Sequence, residues 1–300
     1  MPANSLHDIL IDPATQEALI FKSESSTWAS PSNQYRVKES VPILLQSKKQ
    51  TIGTDELHER YQTDFDYQEH YQKDAEFFDY FETATSATER NEINRLHQSI
   101  IRQVPSAAEL ILDVGCGKGW IAEYFVAQGK QVVSMDISST NPIQAKKNVP
   151  QDNHLAIVGD VFALPIKPNS VDCIVASEIM EHVPDPKLFI ACLMKALKKG
   201  GKLIITTPYN EKREFCLCVH CNKPTPRSAH LHSFNEQNIQ QLIPPTIEKW
   251  DWDKFSNKYF LKARIYRILS FLPYVLWRGL DNMANRLFPK QLRLMITIVK

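Results

Sequence analysis

The stretch Leu110-Ile111-Leu112-Asp113-Val114-Gly115-Cys116-Gly117-Lys118-Gly119-Trp120 decides the fold. Three apolar residues lead into an acidic one, three glycines stand at alternate positions, and a helix-compatible run starts at Trp120. That order reads as a buried strand, a tight turn and a helix start. Such a turn offers backbone N–H groups and a helix N-terminus to an adenosine-bearing ligand. Gly115 and Gly117 permit bends and a close ligand approach that a Cβ would obstruct. Asp113 closes the strand, where its carboxylate can orient the turn or meet a ligand ammonium or ribose.

Working outward, apolar runs predict further strands at 131–135, 154–158, 171–176 and 202–206. Helices are expected at 120–127 and 186–197, and late strands at 246–252 and 293–299. Alternation of this kind implies a doubly wound, largely parallel α/β sheet. Asp136 ends the second strand, 19 residues beyond Gly117, where a carboxylate receives ribose hydroxyls in such folds. Asp160 ends the third, placed to meet an adenine amino group. Dinucleotide binding favours Gly-x-Gly-x-x-Gly, whereas Trp120 stands where the last glycine would fall. The spacing disfavours NAD.

Leu112 to Gly119, Asp136, Gly159-Asp160-Val161-Phe162-Ala163-Leu164-Pro165, Val171-Asp172 and Leu197-Lys198-Lys199-Gly200-Gly201 together resemble the class I S-adenosylmethionine-dependent methyltransferases. The resemblance spans residues 105–210. It implies a seven-stranded Rossmann-like sheet with its last strand antiparallel and a methyl-donor site at the strand C-termini. It also implies donor contacts from Asp113, Gly115, Gly117 and Gly119, from Asp136 to the ribose, and from Asp160 with Val161 to the adenine. A sulfonium methyl is already activated, so the protein chiefly aligns donor and nucleophile and excludes water.

The acceptor end is read from Ser177-Glu178-Ile179-Met180-Glu181-His182. Glu178, Glu181 and His182 span one helical turn and are the candidate catalytic residues. The segment resembles the Glu-x-x-Glu-His of ubiquinone-biosynthesis O-methyltransferases, shared by small-RNA 2′-O-methyltransferases, where it helps hold a divalent metal with a later histidine. His230 is the positional candidate for that histidine, and such a site suits Mg²⁺ chelated by vicinal oxygens. A second reading takes Cys218-x-x-Cys221 with His230 and His232 as structural zinc ligands. The two readings compete for His230.

Residues 1–50 read as a small β-rich appendage punctuated by Pro13, Pro31 and Pro42. Their frame resembles the small zinc-ribbon-like family that includes the activator subunit of tRNA methyltransferases. Asp12-Pro13-Ala14-Thr15 replaces that family's Cys-Pro-x-Cys, which argues against zinc there. Residues 51–104 suit a helical lid or linker, with aromatic faces from Tyr61, Phe65, Tyr71, Phe77, Phe78 and Phe81. A second helix is expected at 88–103 with Ile93, Leu96, Ile100 and Ile101 inward. Residues 105–300 form the methyltransferase domain, carrying a Cys/His substrate loop at 211–234 and a helical insertion at 253–290.

From residue 253 to the end, ten Lys/Arg face two Asp/Glu, although the whole chain carries a net charge of +1. In the insertion, Phe255, Tyr259, Phe260, Tyr266, Phe271, Tyr274, Trp277 and Phe288 interleave with Lys254, Lys258, Lys262, Arg264, Arg267 and Arg278. Such helices suit peripheral contact with an anionic membrane; RNA is the less favoured partner because no RNA-binding module accompanies them. The apolar run 268–277 is about half of the roughly 20 residues a spanning helix needs. Residues 1–11 lack signal-peptide features. The expectation is a cytoplasmic enzyme, peripheral to the membrane where it touches it. It methylates an oxygen of a small or lipid-linked molecule. An RNA 2′-O-methyltransferase and a non-catalytic methyltransferase-like scaffold are the alternatives, and the sequence sets no oligomeric state.

Overall fold

The computed structural model describes residues 6–46, 65–78, 86–265 and 269–300. Tyr61, Phe81, Tyr266 and Arg267 lie outside the described residues. In chain order the elements are β1 (Ile20–Lys22), β2 (Thr27–Ala29), β3 (Gln34–Lys38), β4 (Val41–Leu44), α1 (Tyr67–Phe77), α2 (Ala87–Ile101), β5 (Leu110–Val114), α3 (Trp120–Val126), β6 (Gln131–Asp136), α4 (Thr140–Asn148) and β7 (His154–Gly159). There follow β8 (Val171–Ser177), α5 (Pro186–Ala196), β9 (Leu197–Pro208), β10 (Phe215–Leu217), β11 (Pro224–Pro226), α6 (Glu236–Leu242), β12 (Lys249–Asn257), α7 (Lys258–Lys262), α8 (Tyr274–Leu287) and β13 (Gln291–Val299).

β5 lies at the sheet centre, buried at every residue, between β6 and β8. A strand covered on both faces must be apolar throughout, which is why Leu110-Ile111-Leu112 shows no alternation. Strand order runs outward from it as β6 and β7 on one side and β8, β9, β13 and β12 on the other. The order therefore reverses at β5, and the crevice beyond its C-terminal end is where ligands bind in such sheets. β5 to β9 pair in parallel; β13 runs antiparallel to both β9 and β12. The seven strands and the antiparallel last one are as the resemblance implied.

The sheet does not stop there. β4 pairs in parallel with β7 through Ile43–Val158 and Leu44–Gly159, and β1 to β3 follow antiparallel, giving eleven strands among the described residues. The N-terminal unit thus extends the central sheet. Its centre is Asp12, which is fully buried. The carboxylate accepts hydrogen bonds from Ser30 Oγ at 2.5 Å, Tyr35 Oη at 2.7 Å and Asn33 Nδ2 at 2.9 Å. The amides of Ala14 and Thr15 add two more at 2.8 and 3.2 Å. Burial alone would raise its pKa, but these donors outweigh it and hold the group well below the usual carboxylate range.

At the other edge β12 continues to Asn257, so residues 253–257 belong to the sheet and the insertion begins at Lys258. Asp281 of α8 ties it down, accepting the amides of Ser256 at 3.1 Å and Asn257 at 2.8 Å. Trp277 and Phe255 are fully buried there with Ile111 and Ile204, each burial worth about 2 kcal/mol. In α2, Leu96 and Ile100 face inward as expected, whereas Ile93 is 37% exposed.

Candidate functional site

The glycine turn is built by necessity. Gly115 has φ +68°, and a Cβ there would stand 2.2 Å from Ile179 Cδ1. Gly117 has φ +45°, and nothing lies within 4 Å of the position its Cβ would take. That open space belongs to a cavity of about 480 Å³ at the strand C-termini. Among its lining are Asp113, Gly115, Gly117, Asp136, Asp160, Val161, Glu178 and His182. The structure thus gathers the candidate donor-binding residues around one cavity, Gly119 excepted. Gly119, at φ +71°, precedes α3 and closes the turn by donating its amide to the Cys116 carbonyl at 2.8 Å.

The three strand-end carboxylates differ in their partners. Asp113 is buried, and its Oδ2 has no hydrogen-bond partner. Burial first, and Asp136 second, push its pKa up to about 8. Asp136 accepts from the Ser138 amide and hydroxyl, both at 2.9 Å, and from Asn141 Nδ2 at 3.1 Å. Its pKa is raised by burial against those bonds. Asp160 accepts from the Phe162 amide at 3.0 Å, from Tyr67 Oη at 2.5 Å and from Gln68 Nε2 at 3.0 Å. Helix α1 therefore covers the cavity. Its Tyr71 hydroxyl also donates to the His182 carbonyl at 3.2 Å, and the Ser139 amide donates to Gln72 Oε1 at 2.8 Å.

Glu178 parts company with its two expected partners. At φ +57° its backbone turns left-handed, and its side chain pairs with Arg293 of β13, whose guanidinium also grips Glu92 of α2 at 3.0 and 3.1 Å. Burial raises the Glu178 pKa while Arg293 opposes it. Glu181, 1% exposed, accepts from Thr207 Oγ1 at 3.0 Å, and burial and Glu178 push its pKa well up. His182 lies beside it, Nε2 4.0 Å from Glu181 Oε1. His182 Nδ1 lies 3.3 Å from the Ala229 carbonyl, which requires a proton on Nδ1 and leaves Nε2 bare. Burial, then His230, lower the His182 pKa to about 4, so the ring is neutral at pH 7.

His230 packs edge-on against His182 with centroids 4.8 Å apart, and its Nδ1 pairs with Glu211. One ligand atom each from Glu181, His182 and His230 lies within 4.8 Å of the others, a spacing that can hold one cation. The expected zinc set is not brought together. Cys218 and Cys221 sit in the turn between β10 and β11, which closes on itself as a separate two-stranded ladder. His232 Nε2 is taken by the Val183 carbonyl at 3.0 Å, and His230 joins the Glu181 group instead. Among the described residues, the ligand atoms that come within reach of one another are those of Glu181, His182 and His230, and not those of the Cys218, Cys221, His230 and His232 set.

Arg293 and Glu92 were not legible as site residues. The available signal was a lone cation in the largely apolar Leu292–Ile298 run, where a half-buried charge must find a partner. Tyr67 and Gln68, which engage Asp160, come from a helix whose contacts span most of a hundred residues of sequence.

Residues 112–205 match the family described as a methyltransferase domain. A ubiquinone biosynthesis O-methyltransferase of Idiomarina loihiensis is 31% identical over 144 residues, 45% of this chain and 56% of that protein. One from Rhodopseudomonas palustris is 32% identical over 160 residues, covering 53% of this chain and 56% of its own. The chain spans about half the length of the curated relatives it matches. A solved S-adenosylmethionine-dependent methyltransferase from Mesorhizobium loti shares the fold with a TM-score of 0.51 at 16% identity, covering 70% of this chain and 100% of that one.

Proposed function

We propose that this chain, whose core is that of a class I S-adenosylmethionine-dependent methyltransferase, transfers a methyl group from that donor to an oxygen of a small or lipid-linked acceptor. The observation that carries the reading is the cavity floor: a buried carboxyl oxygen on Asp113 with no partner, beside open space at Gly117. An unpaired buried oxygen is costly unless a ligand completes it. A donor carrying an ammonium supplies that complement and restores the ionised form of Asp113. Gly115 and Gly117 would flank the methionine portion, Asp136 the ribose, and Asp160 with Val161 the adenine. When bound, S-adenosylmethionine supplies an electrophilic methyl on sulfur.

The remaining work falls to the chain's own groups. α1 covers the cavity and excludes water. The bare Nε2 of His182 receives the acceptor hydroxyl's proton, and Nδ1–H, held on the Ala229 carbonyl, orients the ring. Glu178 lines the same cavity and is paired with Arg293, a cation it shares with Glu92. A second reading has its own observation: Glu181, His182 and His230 converge closely enough to hold Mg²⁺, which would lower the acceptor's proton affinity instead.

Calorimetry with S-adenosylmethionine and its demethylated product tests the donor. Binding of neither removes the proposal. Methyl transfer from labelled donor to catechols, with and without a prenyl chain, and to RNA tests the acceptor, and abolition by EDTA with rescue by Mg²⁺ selects the metal reading. Among the described residues, no helix is long and apolar enough to cross a membrane. Support for peripheral contact is the exposure of Phe271, Val275 and Leu276 on a strongly basic insertion. Unchanged partitioning onto anionic liposomes after Lys258, Lys262 and Arg264 are replaced by glutamate would remove that contact.

A further inference from the structure

A second cavity, of about 590 Å³, opens beside the first. The two share Ser228, and His230 on the second packs against His182 on the first. The second is cationic: Lys212, Arg213, Arg227, Lys258 and Lys290 line it against Glu211 and Glu214. Both carboxylates are engaged, Glu211 with His230 and Glu214 with Arg227 at 2.8 Å. Arg213 donates to the Leu231 carbonyl at 2.6 Å. The ammonium groups of Lys212, Lys258 and Lys290 have no ion-pair partner among the described residues.

Two of those lysines are held together by the fold. The Lys258 amide donates to the Lys290 carbonyl at 2.7 Å, joining the start of α7 to the approach to β13. Cations that line one cavity without a counter-charge repel each other, and an anion relieves that repulsion through charge-assisted hydrogen bonds. The residues next in sequence are apolar and uncovered. Tyr259 and Phe288 meet edge-on at 6.1 Å, with Phe288 60% and Leu287 66% exposed.

We propose that this second cavity is the acceptor site and that it takes an anionic oxygen group, carboxylate or phosphate, of an amphiphile whose apolar part lies over Leu287 and Phe288. The inference rests on the methyltransferase reading and adds the acceptor's class to it. An acceptor held by Lys258 and Lys290 extends toward His182 past Ser228, which lines both cavities.

The test is calorimetry on the full chain with dodecyl phosphate below its micelle concentration, inorganic phosphate and uncharged dodecyl glucoside, with S-adenosylmethionine titrated separately. Dodecyl phosphate is expected to bind best, and to weaken roughly tenfold in K258A/K290A and in L287S/F288S. Donor affinity is expected to stay unchanged in both variants. Undiminished dodecyl phosphate affinity in K258A/K290A overturns the assignment, as does equal affinity for dodecyl glucoside. Inorganic phosphate binding as tightly as dodecyl phosphate removes the amphiphile. Sedimentation with phosphatidylglycerol vesicles but no binding of dodecyl phosphate marks a membrane-contact surface and overturns the cavity. Failure of the donor to bind strikes the underlying reading instead, whatever dodecyl phosphate does.

Discussion

Asp12 and Asp113 are both buried aspartates, and they are opposites. Asp12 is surrounded by donors and its acidity is strengthened; Asp113 keeps an oxygen without a partner and its acidity is weakened to a pKa of about 8. The difference separates a polar group that serves the fold from one that the proposed donor would complete. A satisfied carboxylate holds chain segments together, whereas an unsatisfied one is a standing cost. His182 belongs with Asp113, since it lines the same cavity and its Nδ1 is engaged while Nε2 has no hydrogen bond among the described residues.

The largest effect expected is on the rate. His182→Gln should lower methyl transfer by 10²- to 10⁴-fold, about 3–5 kcal/mol, with donor affinity kept. With the His182 pKa at about 4, the wild-type rate should be flat from pH 6 to 8 and fall only as the ring protonates in acid. A rate that still climbs through pH 7 would break the grouping of His182 with the unpaired groups.

Asp12→Ala should cost about 3 kcal/mol of folding stability, because its donors lose their common acceptor. Chemical denaturation measures the loss, and donor affinity in the folded fraction should not change. The sign with pH is set by its depressed folded pKa. The stabilisation from Asp12 is complete above the unfolded carboxylate pKa of about 4 and is lost as pH falls toward the folded value. Asp12→Asn should therefore flatten the acid limb of the stability profile.

Asp113→Asn inverts that pattern. Donor affinity should fall by roughly 2 kcal/mol, about 30-fold by calorimetry. The ligand-free protein should nevertheless be more stable than wild type at pH 9. With a raised folded pKa, the Asp113 contribution is complete below pH 4 and is lost as pH rises toward and through about 8. The melting temperature of wild type should therefore drop across that window more steeply than that of the variant. Destabilisation by Asp113→Asn at pH 9 would place Asp113 beside Asp12 after all.

Gly117→Ala gives the smallest effect on stability, about 1 kcal/mol for a left-handed residue. Its methyl would project into the empty part of the cavity. Donor affinity should suffer more than stability, and the ratio measured on one sample sharpens the distinction between frame and site.

The central strands and the glycine turn were legible because burial on both faces and left-handed turns leave strong local marks on residue type. Asp113, Asp136 and Asp160 could be read from their places at strand ends. The rest depended on pairings across long stretches of chain. Nothing local in Val41-Pro42-Ile43-Leu44 announces that it pairs with β7. Glu178, one turn from Glu181, was drawn aside by Arg293 of the last strand, helped by a left-handed backbone that breaks the expected helix. The cysteine spacing suggested a metal, but the hairpin carrying it pairs within itself and leaves its thiols away from His230 and His232.

The parallel pairing of β4 with β7 also orders events in time. During synthesis Ile43 leaves the ribosome long before Val158, and a strand cannot complete a ladder with a partner not yet made. The ladder between β4 and β7 therefore forms only once β7 has been made. A chain with this ladder closed carries one continuous sheet from the N-terminal unit to the strand that ends before Asp160.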